Sequence, residues 1–587
     1  MAKPVDIKLF IGGNEGEEIL QNSNFSIKLE QKIAAHHKLT IECPMEALED
    51  TSGQFAEKAQ GYIGQTLSLS INTDELVFNG IVMNVKINKE DGGNGSMEIT
   101  AYSPTKLMDN GKDSQSYEQK TLKEIIDAAV KGHQYEFNVE SKPRYQNKIP
   151  YTVQYKESDF DFIRRLAVRY GEWLYYDGQS LQFGNSGLKV TPLRFGESLE
   201  SFNVSMITKP QRHTYLAYDF HQAGTHKAEM KGPEKQEGNS SLNMKVAYAS
   251  KNLYAKVPTA IYNNSLMENG PSELSNVSEL KSKHALNTVE IDGESDEVQI
   301  ALGNIVDITG KNMAVVGKTD PYGKYIITRV THVVKNSREY SNKFEGVPHT
   351  IEVPNYFDEN AVPSCEEQYA IVVDNHDPKG MSRIRVRFPW QIDGQLSPWL
   401  RVATPYAGKG KGFHVLPEIN EEVLVGFENG NAEKPFVIGA MFHGQGKSGF
   451  GGKGNHKKGF VTASGNRLEI DDEWGSVTLA DSARSRLILD GSNNAAIQSE
   501  DLIALVLETE NSTWTSAATK LLMKGTGEVL LEGEKVLTLQ VGESSIVLQK
   551  DGTIILSGND IIINSNKTIN TSSSEETNIN GKAVNIN

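Results

Sequence analysis

The sequence predicts a mainly β protein with a smaller α/β part. Three observations carry this. Short apolar alternations recur from residue 1 to 110 and again from 243 to 355. Residues 365–443 hold five more strand-like runs. From 460 to 587 the chain is a succession of period-two segments broken by Gly, Asn and Asp. Alternation at period two marks strands with one buried face.

Residues 1–110 give six short strands: DIKLFIGG, FSIKLEQ, KLTIECP, QTLSLSIN, ELVFNGIVMNVKIN and SMEITAYS. Strands at this spacing suggest a small antiparallel barrel. Residues 111–221 change character. Thr121 with Glu124 forms a capping-box pattern ahead of an apolar face at Leu122, Ile125, Ile126, Ala129 and Val130. A second helix is predicted from Ser158 to Tyr170, with Gly171 to stop it. EWLYYDGQSLQFG then reads as a hairpin around Asp177-Gly178.

Residues 222–242 are polar and read as an exposed loop. Strands resume to 355, so 222–355 is expected to be a linker and a second barrel. In 365–443, strands are predicted at 369–374, 382–388, 398–403, 422–428 and 435–441, the strand count of an OB-type barrel. Residues 444–459, GQGKSGFGGKGNHKKG, form a Gly/Lys linker.

The last stretch, 460–587, alternates RLEIDD, SVTLAD, RLILDG, EVLLEG, VLTLQVG, SIVLQKDG, TIILSGND, IIINSN and VNIN. Ile546 and Leu548, Ile554 and Leu556, Ile561 and Ile563, and Val584 and Ile586 are the expected inward positions. Each strand is too thin to bury a core alone. A solenoid, a sandwich, or several identical chains wound around one axis would each close such strands. Two or three inward residues per strand favour the third, a narrow homotrimeric shaft.

The net charge is −16, which argues against nucleic acid and anionic membranes as main partners. Residues 460–587 hold 18 acidic and 9 basic residues, so over half of that charge lies on the expected shaft. Two distant cysteines, Cys43 and Cys365, make no disulfide framework and fit a reducing compartment. MAKPVDIKLFIGG lacks the apolar core of a signal peptide, so synthesis in the cytoplasm without general secretion is expected.

No catalytic residue, metal site or cofactor is expected. No HExxH or GxSxG occurs, and Gly446-Lys447-Ser448 lacks the first glycine of a phosphate-binding loop. Gly408, Gly410 and Gly412 have no βαβ context, and His221 and His226 fall in the polar loop. Asp471/Asp472 and Glu575/Glu576 lie on or between shaft strands, and Trp474 and Trp514 make no aromatic cluster. A polysaccharide-acting trimeric tailspike would need a groove with paired carboxylates and aromatics.

DNHDPKGMSRIRVRFPW and PWLRVATPYAGKGKGFHVLPEINEEVLVGFENGNAEKPFVIGAMFHG closely resemble the OB domain of the VgrG family, the spikes of type VI secretion systems. The most specific matches are Phe388-Pro389-Trp390, Leu416-Pro417-Glu418 and Gly426-Phe427-Glu428-Asn429-Gly430. QYKESDFDFIRRLAVRYGEWLYY resembles the family's hub, and the alternating tail its trimeric β-prism needle. The resemblance implies a hub of two antiparallel barrels, an OB barrel and an intertwined needle without an enzyme domain. It implies as partners a hexameric tube protein of Hcp type, a PAAR-type tip protein, baseplate proteins and secreted effectors. Contact with a target membrane would be transient, on ejection from a contractile baseplate. The tip protein is expected at Val584, Asn585, Ile586 and Asn587. Hub-spikes of phage tails and extracellular injection particles share this pattern.

Overall fold

The computed structural model describes residues 3–15, 25–44, 55–72, 76–89, 95–133, 138–184, 189–234, 241–268, 270–312, 314–315, 318–335, 338–392, 394–501, 503 and 534–586. It divides into two units, Met1–Ile497 and Gln498–Asn587.

The first barrel is an antiparallel run of strands in the order Ser26–Lys32, Lys38–Pro44, Gly95–Tyr102, Leu76–Lys89, Thr66–Ile71 and Ile7–Ile11. Alternate residues point inward, so Leu9, Ile27, Leu29, Leu39, Ile41, Leu67 and Ile99 form one buried core. This is the period-two pattern of the sequence realised as a half-buried sheet.

The second barrel closes on itself. Its ring runs Glu339–Pro348, Val289–Ser295, Leu199–Met206, Val190–Phe195, Ile305–Lys311 and Thr319–Lys335, which pairs back to Glu339–Pro348. Closure leaves no free edge within the ring. The strands Val190–Phe195 and Leu199–Met206 belong to this ring, so the boundary expected near 221 does not follow the sheet. Two elements separated by about a hundred residues pair here, which no local pattern encodes.

The two barrels share one hairpin. Thr319–Lys335 pairs with Ser26–Lys32 through residues 329–334, while its earlier part pairs with Ile305–Lys311. Val334 and Tyr340 accordingly sit in the first core, and Ile327, Val330 and Phe344 in the second.

Both predicted helices form. Thr121 accepts from the Glu124 N–H and Glu124 reaches back to the Thr121 N–H, completing the capping box of Leu122–Ala129. Ser158 caps Asp159–Tyr170, and Gly171 ends it in the left-handed region at φ 64°. Residues 222–242 differ from the expected loop: Gly224–Met230 is a strand paired with His213–Asp219, followed by the helix Leu242–Leu253. His213–Asp219 has an alternating buried face, which supplies the partner that the polar sequence hides.

The OB-type barrel has the order Arg385–Arg387, Gln368–Asp374, Glu422–Phe427 and Pro435–Ala440. The strand expected at 398–403 is reduced to two bridges, Ile384 to Leu400 and Val402 to Val437, which nevertheless close the circuit. Ala370, Val372, Val386, Phe388, Val423 and Val425 fill it. The expected linker ends early, because Lys457–Val461 already pairs with Arg467–Asp471.

Candidate assembly surfaces

Five strands, Lys457–Val461, Arg467–Asp471, Ser476–Ala480, Arg486–Leu489 and Ala495–Gln498, form an antiparallel meander in the first unit. Its register sets Phe460 opposite Leu468, Leu468 opposite Leu479, and Leu479 opposite Leu487. These four side chains share one face, and all four are exposed. Trp474 stands exposed at a turn.

The second unit repeats this. Val536–Val541, Ser544–Gln549 and Ile554–Ser557 pair so that Leu537 and Leu539 face Leu548 and Ile546, which in turn face Ile554 and Leu556. Of the predicted inward residues, Ile546, Leu548, Ile554 and Leu556 therefore share a face. In the single chain, however, Ile546, Leu548, Ile554, Leu556, Ile561 and Ile563 are 39–68% exposed. Covering such a side chain fully is worth about 1.5–3 kcal/mol. A sheet whose apolar face stays this exposed lacks much of its main stabilising term.

The strands expected at 561–566 and 584–587 are absent among the described residues; 560–586 carries no ladder. A strand exists only where its N–H and C=O groups find a partner, and the described residues provide none. Val584, Asn585 and Ile586 are exposed. Asn587, Trp514 and the stretch EVLLEG lie outside the described residues.

Where the OB barrel meets the helix Asp159–Tyr170, a charged cluster is sealed from water. Glu433 is buried and accepts from Thr152 Oγ1 at 2.5 Å, from Arg165 at 3.4 Å and from Arg169. Arg165 is also bonded to Glu157 at 2.7 Å and to the Val153 carbonyl at 2.5 Å. Burial opposes ionisation of Glu433, but Arg169 and Arg165 outweigh it and hold the carboxyl below its usual range. Ser116 and Gln391 bridge the same junction at 2.7 Å. Sequence reasoning missed this cluster. Its one local signal is that Arg165 and Arg169 occupy the apolar stripe shared with Phe162 and Leu166.

The motif residues of the barrel are structural. Phe388 is buried, stacked on Trp390 at 5.4 Å and on Phe427 at 5.9 Å. Trp390 donates to Gln368 at 2.8 Å and meets Tyr155 edge-on at 6.0 Å, so it spans barrel and junction. Pro389 is exposed and Leu416 half-buried against the barrel core. The Pro417 carbonyl accepts from Asn375 at 3.1 Å. The Glu418 side chain lies 3.5 Å from Asn375, and its N–H donates to Glu421 at 3.1 Å. At Gly426 a Cβ would stand 2.9 Å from Ile438. Glu428 pairs with Arg401 at 2.7 Å and Lys434 at 2.8 Å, and Asn429 and Gly430 turn the chain at φ 55° and 69°. That turn aims Glu433 at the helix.

His221 and His226 flank the buried Asp219, each at 3.3 Å; His221 lies in the turn between the two strands, as expected, while His226 stands on the strand Gly224–Met230. Among the described residues, no group of three or more His, Cys, Asp and Glu side chains is placed to hold a metal, and no helix is long and apolar enough to cross a membrane.

The sequence signature of the phage tail baseplate hub (GPD) matches residues 45–338, half of the chain. That of the type VI secretion system/phage-baseplate injector OB domain matches residues 368–442. Two Pseudomonas aeruginosa relatives are type VI secretion system spike proteins. VgrG1a is 21% identical over 84% of this chain and 84% of its own length. VgrG5 is 23% identical over 60% of this chain and 49% of its own, so the match spans about half of that relative. Among solved structures, a chain of the lidded Francisella PdpA–VgrG complex aligns with a TM-score of 0.54 over 84% of this chain and 79% of that one. The identity there is 11%, a likeness of fold.

Proposed function

This chain belongs to the phage tail baseplate hub family as a VgrG-type spike, and we propose that it works as the homotrimeric spike of a contractile injection machine. One observation supports the trimer above others: on the face shared by Leu537, Leu539, Ile546, Leu548, Ile554 and Leu556, all but the half-buried Leu537 are exposed. Three copies wound about one axis would turn these faces toward each other and give the ladder-free segment 560–586 neighbours to pair with.

In this reading residues 1–355 are the hub, 365–443 the OB barrel and 460–587 the needle. Each hub carries two barrels, so a trimer offers six similar units to a hexameric tube ring of Hcp type. Baseplate proteins surround the hub. A PAAR-type protein caps the needle at Val584, Asn585, Ile586 and Asn587, and effectors travel with the assembly. Contraction drives the needle through a target membrane. The machine is a type VI secretion system, the system of the Pseudomonas relatives, with a phage tail or extracellular particle as the alternative. The chain does mechanical rather than catalytic work.

Native mass measurement of the full chain tests the trimer. The expected mass is three times 64.8 kDa. A stable folded monomer overturns the reading.

A further inference from the structure

A cleft of about 790 Å³ opens between the helix Asp159–Tyr170, the turn after Ser26–Lys32 and the segment 355–361. Five cations line it: Lys32, Lys112, Lys156, Arg164 and Arg165. Only two carboxylates, Glu157 and Asp161, answer them within the lining. On a chain of net charge −16 this is a local reversal of sign.

The cations are not equivalent. Arg165 is committed to Glu157 and Glu433, Arg164 pairs with Asp161 at 2.9 Å, and Lys156 pairs with Glu366. Lys32 and Lys112 are exposed and make no ion pair with a described residue. Between the charges the wall is apolar: Ile33, Ala34, Val168 and Ala361. The volume lies in the range of sites that enclose a small ligand, about 300–1,000 Å³.

We propose that this cleft binds a short acidic peptide segment of a partner protein. Its carboxylates would meet Lys32, Lys112 and the outer edge of Arg164, and one apolar side chain would rest on the half-buried Ala34 and Val168. Charge complementarity selects the acidic class. The shortness follows from the surroundings. A long polyanion such as nucleic acid would run beyond the cleft over a chain of net charge −16, which disfavours each further phosphate. A short segment places its charge only where the cations stand. The inference does not depend on the trimer.

The test uses the full-length protein and a fluorescein-labelled, end-capped peptide, Asp-Glu-Leu-Asp-Glu-Glu, read by anisotropy at low salt. Saturable binding is expected, falling steeply with added salt. The Asn-Gln-Leu-Asn-Gln-Gln analogue should bind at least about tenfold more weakly. The double variant Lys32→Glu/Lys112→Glu should lose at least about tenfold in affinity. The control Lys409→Glu/Lys453→Glu makes the same change of net charge at exposed lysines elsewhere and should bind as the wild type does. All four lysines are exposed, so both variants retain the fold. Absence of saturable binding overturns the proposal. So does equal affinity in the two double variants, or tighter binding of a labelled oligothymidylate of equal charge.

Discussion

Arg169 and Glu433, 264 residues apart in sequence, form an ion pair whose side chains are only 5% and 1% exposed. It fastens the hub helix to the OB barrel. Glu433→Gln leaves the buried Arg169 guanidinium without its carboxylate partner, while Arg165 keeps Glu157. The expected loss is about 3–5 kcal/mol, read as a lower denaturant midpoint and earlier proteolysis between 355 and 365. Arg169→Met combined with Glu433→Leu should recover most of it, since apolar replacement of a buried pair is often neutral. A Glu433→Gln protein as stable as the wild type would show the cluster to be solvated.

Acid sensitivity should come from two histidines inside the first barrel. His37 and His332 are joined through Gln31 at 3.1 and 3.2 Å, and His332 contacts the Tyr340 hydroxyl at 2.6 Å. Burial lowers both to about 3, and for His37 the neighbouring His36 and His332 add to it. The folded value lies below the ordinary 6.5, so the unfolded chain takes up protons first as pH falls. Stability is whole above about 6.5 and drains as pH falls toward 3, by about 1.4 kcal/mol per pH unit for each histidine. Urea midpoints at neutral and mildly acidic pH check this, and His332→Gln should flatten the slope. A midpoint that holds steady between the two would refute it.

What was legible in the sequence was local. Thr121 with Glu124, Ser158 and Gly171 each mark a helix end, because a cap involves residues three or four apart. Ile546 and Leu548 announce a strand face because alternation is written in consecutive residues. Glu433 carried no such mark: its partners lie in another element far along the chain. The ring through Val190–Phe195 was hidden for the same reason, and so was the shrinkage of 398–403 to two bridges. The partner of Gly224–Met230 was obscured by polar side chains facing water.

Replacing Ile554, Ile561 and Ile563 together by Asp should prevent needle assembly. Each unpaired buried charge costs several kcal/mol, and an axis of symmetry repeats it in every copy. Size-exclusion chromatography with light scattering should show monomer. Normal assembly would mean that these positions face water and that the register is shifted by one residue.

Removing residues from Lys582 onward should leave the trimer intact and abolish binding of a PAAR-type tip protein. Co-purification of the two proteins measures it. Retention of the tip protein by the shortened chain would place the cap elsewhere.

Purified protein, free of cargo, should leave cell-wall preparations uncleared. The stretch 444–456 between OB barrel and shaft is far below the roughly 50 residues that a folded insertion needs. The shaft carboxylates Asp472 and Glu473 stand exposed to water, and exposed side chains alone do not form an enclosed substrate site. Clearing that vanishes when a carboxylate of this chain is mutated would reveal an active site.

The hairpin Thr319–Pro348 also sets a timetable for synthesis. The strand Ser26–Lys32 emerges from the ribosome early, yet its partner on one side, Arg329 opposite Lys32, lies about 300 residues later. At about 5–20 residues per second that edge stands open for about 15–60 s on every nascent chain. It bears unpaired backbone groups the whole time, within reach of the same edge on chains made from the same message. A chaperone that shields strand edges, or sparse loading of ribosomes on this message, would then govern the yield of folded protein before any copy meets its neighbours.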